Sequence, residues 1–98
     1  MPDPTADDVV RAAVHGDKDA FAMLWRELSP TVFAYLSARG AADPEALTSD
    51  VFLAVLPRLP ELEGGAAGLR TFVFSIAHAR LVDEFRRNAR RPASVEFD

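Results

Sequence analysis

The sequence predicts an all-α fold, a compact helical bundle of about four helices that ends in a long, basic C-terminal helix. Apolar residues recur at three- and four-residue spacing through most of the 98 residues. Helix-start signals precede these stretches, and no run alternates apolar and polar residues as a strand would. The length and a hydrophobic content of 49% fit one domain with a single modest core.

The first two predicted helices each begin at a recognisable cap. Thr5 and Asp8 have the spacing of a capping box, and the helix that they start is expected to end at Gly16. Asp17 is the predicted N-cap of the second helix. Ser29-Pro30 allows either a kink in that helix or a fresh start. The buried side is expected to include Ala20, Phe21, Leu24, Trp25, Leu28, Val32, Phe33, Tyr35 and Leu36.

A third helix is predicted from Asp43-Pro44-Glu45, which combines a cap, a first-position proline and an acid favoured by the helix dipole. Pro57 and Pro60 end it, and Glu61–Gly68 is too rich in glycine for regular structure. Leu53 lies on its polar side, as a tolerated exposed leucine or as a docking contact. The inner stripe is Leu47, Val51, Val55 and Leu59, widened by Phe52 and Leu56.

The fourth predicted helix runs for about six turns from Leu69 to Arg91 and stops before Pro92. Its expected buried stripe is Leu69, Phe72, Ile76 and Ala79. A second apolar line contains Phe74, Leu81 and Phe85, with His78 between them. Phe74 either packs under the first helix or meets a ligand, and His78 is either a half-buried surface residue or a binding residue.

Charge is divided unevenly along the chain. Residues 1–68 hold five basic and eleven acidic residues, whereas residues 69–92 hold six basic and two acidic ones, which gives local charges of −6 and +4. Phosphate binding depends on the local field more than on the total charge of −4, so the last helix predicts a nucleic-acid partner. An acidic body could also meet a basic protein. Asp83 is expected to pair with Arg80, Arg86 or Arg87.

The residue inventory argues against a catalytic or metal site. The chain has no cysteine and two histidines, which exclude a disulfide framework and make a poor metal set. Ser75, His78 and Asp83 diverge on one helix, whereas a catalytic triad must converge. We therefore expect no enzyme activity, cofactor or metal. The acidic N-terminus is unlike a secretory signal, and no apolar run approaches a membrane span, so a cytoplasmic protein is expected.

Three segments in chain order resemble the second conserved domain (region 2) of sigma-70-family RNA polymerase sigma factors, specifically the small extracytoplasmic-function (ECF) group. They are Gly16–Tyr35, Asp43–Leu53, and Leu69–Ala77 with Leu81–Arg87. The resemblance runs from about residue 9 to residue 92. It implies a sigma factor domain at residues 1–92, followed at residues 93–98 by the start of an interdomain linker.

The resemblance implies a transcription initiation factor domain. Such a domain binds core RNA polymerase, mainly through a coiled coil of the largest subunit, and recognises and melts the promoter −10 element as single-stranded non-template DNA. Implied polymerase contacts are Glu45, Ser49, Asp50 and Leu53. Implied DNA contacts are Leu62, Gly64, Gly65, Arg70, Thr71, Phe74, His78, Arg86, Arg87 and Arg90, with the loop Leu62–Gly68 holding a flipped base.

The chain departs from the family pattern at a few positions. Ser49-Asp50 stands where the family usually has Gln-Glu, and the stretch that contains His78 lacks the family's usual asparagine. Glu61 and Glu63 occupy loop positions where basic residues are common in the family. These changes bear on promoter preference more than on the fold. The family's second DNA-binding domain, which reads the −35 element, has no counterpart here, so we expect one domain in isolation.

A protein-interaction module is the alternative function. The second apolar line, Phe74, Leu81 and Phe85, would then dock another helix, and an anti-sigma factor is the partner that the family resemblance implies. Salt dependence separates the two functions, because phosphate contacts weaken steeply as the salt concentration rises and an apolar dock does not.

Overall fold

The computed structural model describes residues 5–90, which form four α-helices and one 3₁₀ helix. The elements are α1 (Ala6–Val14), α2 (Lys18–Ala38), α3 (Pro44–Val55), a 3₁₀ helix (Leu56–Glu61) and α4 (Gly65–Ala89). No strand occurs within residues 5–90. The predicted all-α bundle is therefore confirmed. α4 ends at Ala89 with Arg90 as its C-cap, two residues before the expected end at Arg91. Pro92 and the expected linker lie outside the described residues.

The predicted caps are formed. The backbone N–H of Asp8 donates to Thr5 Oγ1 and that of Thr5 donates to Asp8 Oδ2, each at 3.1 Å. The Thr5 N–H, then the Thr5 hydroxyl and the charge of Arg11, lower the pKa of the Asp8 carboxyl below its ordinary value. Asp17 Oδ1 accepts from Ala20 N at 3.0 Å. These contacts join residues three positions apart, which is why the sequence reveals them.

Pro30 lies inside a continuous α2. A proline within a helix removes one backbone hydrogen bond and costs about 3 kcal/mol. Leu28 and Val32 flank it and are both buried in the core. Burial of this apolar stripe on both sides of the proline offsets the lost hydrogen bond, so the helix does not restart.

The core is a single cluster to which every α-helix contributes. Its buried apolar members are Val10, Ala13, Ala20, Leu24, Leu28, Val32, Leu36, Leu47, Val51, Val55, Leu59, Leu69, Val73, Ala77 and Leu81. The predicted inner stripe of α3 is confirmed. Phe52 lies beside it with its ring centroid 4.9 Å from that of Phe21 and 4.7 Å from that of Trp25.

The buried side of α4 is rotated from the prediction. Leu69, Val73, Ala77 and Leu81 form the buried stripe, whereas Ala79 is exposed. Phe72 and Ile76 are only partly buried, at the edge of the core. Side-chain size does not decide the stripe, because Phe72 and Ile76 are not fully buried whereas the small Ala77 is. Its small side chain lets α4 approach its neighbours closely, and the bulkier side chains pack at the margins.

The start of α4 also differs from the expectation of an irregular Glu61–Gly68. Only Leu62–Gly64 is non-helical, between the 3₁₀ helix and Gly65. Asp7 of α1 supplies the missing cap, since its Oδ1 accepts from Ala66 N at 2.8 Å. This contact spans 59 residues of sequence, so no local signal could reveal it.

Gly68 shapes the connection into α4. Its N–H donates to the carbonyl oxygen of Gly64 at 3.0 Å, and a Cβ at this position would overlap the carbonyl oxygen of Glu63. The loop can therefore lie against the first turn of α4 only because residue 68 has no side chain.

Within residues 5–90, no helix has both the length and the hydropathy to cross a bilayer.

We predict that Asp7→Ala lowers the free energy of unfolding by about 1 kcal/mol, the usual cost of a lost N-cap. Asp7→Asn keeps an acceptor oxygen and should lose less. Urea unfolding followed by circular dichroism measures both variants. Equal stability of Asp7→Ala and the parent would show that the contact between α1 and α4 contributes nothing.

We also predict that Gly68→Ala destabilises the fold by about 1–3 kcal/mol, as expected of an overpacked site. In an ordinary helix the same change is stabilising by about 0.5–1 kcal/mol. Ala67→Gly, one position earlier, is the matched control and should show only the usual glycine penalty. A Gly68→Ala variant that unfolds at higher urea than the parent would refute the close approach of the loop.

Candidate nucleic-acid and protein interfaces

The four predicted polymerase contacts share the outer side of α3. Glu45, Ser49, Asp50 and Leu53 are all exposed, and Leu53 is 66% exposed. The buried residues of α3 lie on its other side. The Asp43 carboxylate fixes the start of this helix by accepting from Ala46 N at 3.1 Å. The structure thus brings the four together as one surface with an exposed leucine between acids.

A shallow cavity of about 290 Å³ adjoins this surface, between α2 and α3. Glu45 and Ser49 line it from α3, and Phe33 lines it from α2. Phe33 was expected in the core but is 42% exposed. It lies about 100° around α2 from the buried Val32, at the edge of the stripe, so the expectation was wrong by about one helical position.

A larger open cavity of about 680 Å³ lies between the 3₁₀ helix, the following loop and α4. It brings together three of the predicted DNA contacts, Leu62, Gly64 and Thr71. Its other lining residues are Arg58, Glu61, Glu63, Ala67, Gly68, Phe72 and Ser75. Glu63, Ala67 and Gly68 belong to the loop that is expected to hold a flipped base, whereas Arg58 and Ser75 had no expected binding role. We call this space the loop cavity.

Arg58 is the main residue of the loop cavity that sequence reasoning missed. Its guanidinium carbon lies 5.1 Å from the centroid of the Phe72 ring, a cation–π distance. Thr71 and Ser75 add hydroxyl groups, and Ser75 donates its own hydrogen to the carbonyl oxygen of Phe72 at 2.9 Å. The cavity therefore offers a cation, an aromatic ring, hydroxyls and carboxylates to a ligand.

Two predicted DNA contacts lie elsewhere. Gly65 lines a separate cavity on the α1 side, together with Asp7. Arg70 lines another space between α1, α2 and α4, with neighbours such as Leu24 and Glu27. The structure therefore does not bring Gly65 or Arg70 together with Thr71 in the loop cavity.

Phe74 and His78 lie where α4 meets α2. The Phe74 ring packs edge-on against Tyr35, with ring centroids 5.3 Å apart. His78 is exposed, and its Nδ1 lies 3.4 Å from the Tyr35 hydroxyl oxygen. Phe74 is partly buried. It therefore packs within the bundle, against α2, and still presents part of its ring at the surface.

The last arginines of α4 are exposed and point in different directions. At about 100° per residue, Arg86 lies on the same side as Thr71 and Ser75, whereas Arg87 lies near the line of Arg80. Arg90 follows at the C-cap of α4. Within residues 5–90 no carboxylate lies within ion-pair distance of these arginines. The ion pair in this part of the chain joins Arg11 to Asp8 at 3.1 Å.

The expected pairing of Asp83 with an arginine of α4 is wrong for this structure. Asp83 and its candidate partners are all exposed. An exposed ion pair gains little over hydration and must order two side chains, which explains why none is formed.

The proposed apolar docking line is interrupted. Leu81 is buried in the core, whereas Phe85 is 45% exposed. Phe74, Leu81 and Phe85 therefore do not form one exposed stripe.

Among residues 5–90, no group of three or more metal-ligating side chains is arranged to hold a metal ion.

Comparison with known proteins agrees with the resemblance seen in the sequence. Over 81 residues, or 81% of this chain, the sequence is 32% identical to the ECF RNA polymerase sigma factor BldN of Streptomyces coelicolor. The chain spans 31% of the length of that curated relative. No protein-family model and no solved structure matches the chain. The alignment supports a relationship between this chain and the sigma-70 family of transcription initiation factors.

Proposed function

We propose that this chain is a region 2 domain of an ECF sigma factor, which binds core RNA polymerase and captures the −10 element as a single non-template strand. The observation that carries this proposal is the loop cavity beside α4. It lies on the side of α4 that also presents Arg86, about 16 Å further along the helix than Ser75. A strand with one base in the cavity would therefore extend along α4 before a phosphate reaches Arg86. The alignment with an ECF sigma factor supports the same function.

The outer side of α3 is the proposed polymerase contact. Asp50 and Glu45 carry negative charge beside Leu53, which is 66% exposed. A partner helix with basic and apolar residues would complement this surface, as the coiled coil of the largest polymerase subunit is expected to do. Electrostatic complementarity would set the orientation and Leu53 would supply apolar contact area.

The proposed DNA contact follows from the chemistry of an opened strand. Extruding a base costs a few kcal/mol, and a closely fitting pocket can return this energy selectively. In the loop cavity, Arg58 and Thr71 offer hydrogen-bond donors to a base edge. Stacking on aromatic side chains contributes about 1–3 kcal/mol per base, and arginines bind the separated phosphates. Binding alone would stabilise the opened promoter, so we assign no catalytic role.

The proposed location is the cytoplasm, where core polymerase and promoter DNA are present. A regulator such as an anti-sigma factor would inhibit this domain by covering the α3 surface and the DNA surface. The broken line of Phe74, Leu81 and Phe85 gives such a protein no continuous apolar stripe on α4. For this reason we favour the DNA-binding function over a purely protein-binding one.

We predict that Asp50→Arg reduces binding to core RNA polymerase below detection, because it reverses the charge at the centre of the proposed contact. The fold should persist, since Asp50 is exposed. Glu27→Arg makes the same charge change at an exposed position of α2 and is the control. Pull-down of core polymerase and thermal unfolding measure the two effects. If Asp50→Arg still retained core polymerase at the parent level, the result would show that the outer side of α3 is not the polymerase contact.

We predict that Arg86→Ala weakens binding of a −10 non-template oligonucleotide roughly tenfold, equivalent to about 1.4 kcal/mol. Arg80→Ala removes the same charge from the other side of α4 and should have a smaller effect. Fluorescence anisotropy with core polymerase present measures both affinities over a range of salt concentrations. Equal losses in the two variants would indicate a diffuse field and not a strand path beside the loop cavity.

A further inference from the structure

We infer that the single-strand surface continues from α4 onto α2, where Arg39 and Tyr35 form a second contact for the DNA strand. This inference rests on the proposed function and extends the DNA contact to Arg39 and Tyr35, which are not among the contacts that the family resemblance implies. We define the α2 patch as Tyr35, Arg39, Phe74 and His78.

The α2 patch is a connected set of side chains. Arg39 lies over the Tyr35 ring, with its guanidinium carbon 3.9 Å from the ring centroid. The edge of the same ring meets Phe74, and its hydroxyl oxygen lies 3.4 Å from His78 Nδ1. A strand that contacts Phe74 and His78 would therefore lie beside Tyr35 of α2.

The charge of Arg39 is available to a ligand. Its Nη1 donates to the carbonyl oxygen of Tyr35 at 3.4 Å, and within residues 5–90 no carboxylate lies within ion-pair distance of it. Two acids in or near the loop after α2 are already engaged. Glu84 Oε2 accepts from Ala42 N at 3.0 Å, and Asp43 caps α3.

Contact with Tyr35 also holds the guanidinium in place. Arg39 is exposed and Tyr35 is half-buried, so the ring supports one face of the guanidinium while its N–H groups reach solvent. A preorganised arginine loses little conformational entropy when it binds a phosphate or stacks on a base. Arginine and aromatic side chains are the residues that bind single strands without reading their sequence.

The α2 patch is adjacent to the loop cavity on the surface of α4. Thr71 and Phe74 are three residues apart, as are Ser75 and His78, so each pair lies side by side on the helix. A strand with one base in the loop cavity can therefore extend across His78 toward Arg39. The patch would take a phosphate and an unstacked base of the same strand.

The test compares Arg39→Ala with Arg26→Ala in the complex with core polymerase. Arg26 is an exposed arginine of the same helix, but it lies on the α1 side with Val9 and Met23. We expect Arg39→Ala to weaken oligonucleotide binding about fivefold. It should also reduce the steepness of the log–log salt dependence by about 0.7, the value for one phosphate of a single strand. Arg26→Ala should change neither quantity.

Arg39→Lys provides a second measurement. Lysine keeps the charge but loses the planar group that packs on Tyr35, so the salt dependence should be retained while affinity falls. Circular dichroism checks that each variant folds. Parent affinity and salt dependence in Arg39→Ala, together with weakened binding in Arg86→Ala, would overturn the α2 patch and leave the proposed function intact. If no oligonucleotide binds even the parent chain, both proposals fail.

Discussion

The burial of α4 along a single stripe determines what the rest of its surface can do. Leu69, Val73, Ala77 and Leu81 are all buried, and they lie four residues apart through more than three turns. This seating fixes the rotation of the helix about its own axis. Thr71, Ser75 and Arg86 consequently point to one accessible side, and His78 points toward α2. The candidate surfaces are products of this packing.

The parts of the fold that could be predicted are those controlled by neighbours in sequence. Thr5, Asp17 and Asp43 cap helices through contacts within three residues, and each was recognisable. The start of α4 was not, because its cap comes from Asp7, 59 residues away. The choice of Ala79 instead of Ala77 for the buried stripe failed for a related reason. Periodicity limits a stripe to neighbouring positions, but close approach between helices decides among them.

The candidate surfaces divide in the same way. The outer side of α3 could be predicted, since it is simply the complement of a clear apolar stripe. Three of the expected DNA contacts, Leu62, Gly64 and Thr71, line one cavity, and their roles remain predictions. The contacts of Arg58 with Phe72 and of Tyr35 with Phe74 could not be predicted, because each joins two elements of the bundle. Arg70 is next to Thr71 in sequence, but its direction on α4 takes it to a space beside α1 and α2, and its contact with DNA stays a prediction.

The cap that Asp7 places on α4 joins the N-terminal helix to the loop cavity. A cap that holds the first turn of α4 also holds the loop that packs against it, so the cavity wall and the seating of α1 are energetically linked. Such linkage is reciprocal for binding free energies. A nucleotide that binds in the loop cavity and favours this capped loop would protect the amides of α1 from hydrogen exchange. A partner that pulled α1 away would release the nucleotide without ever touching it.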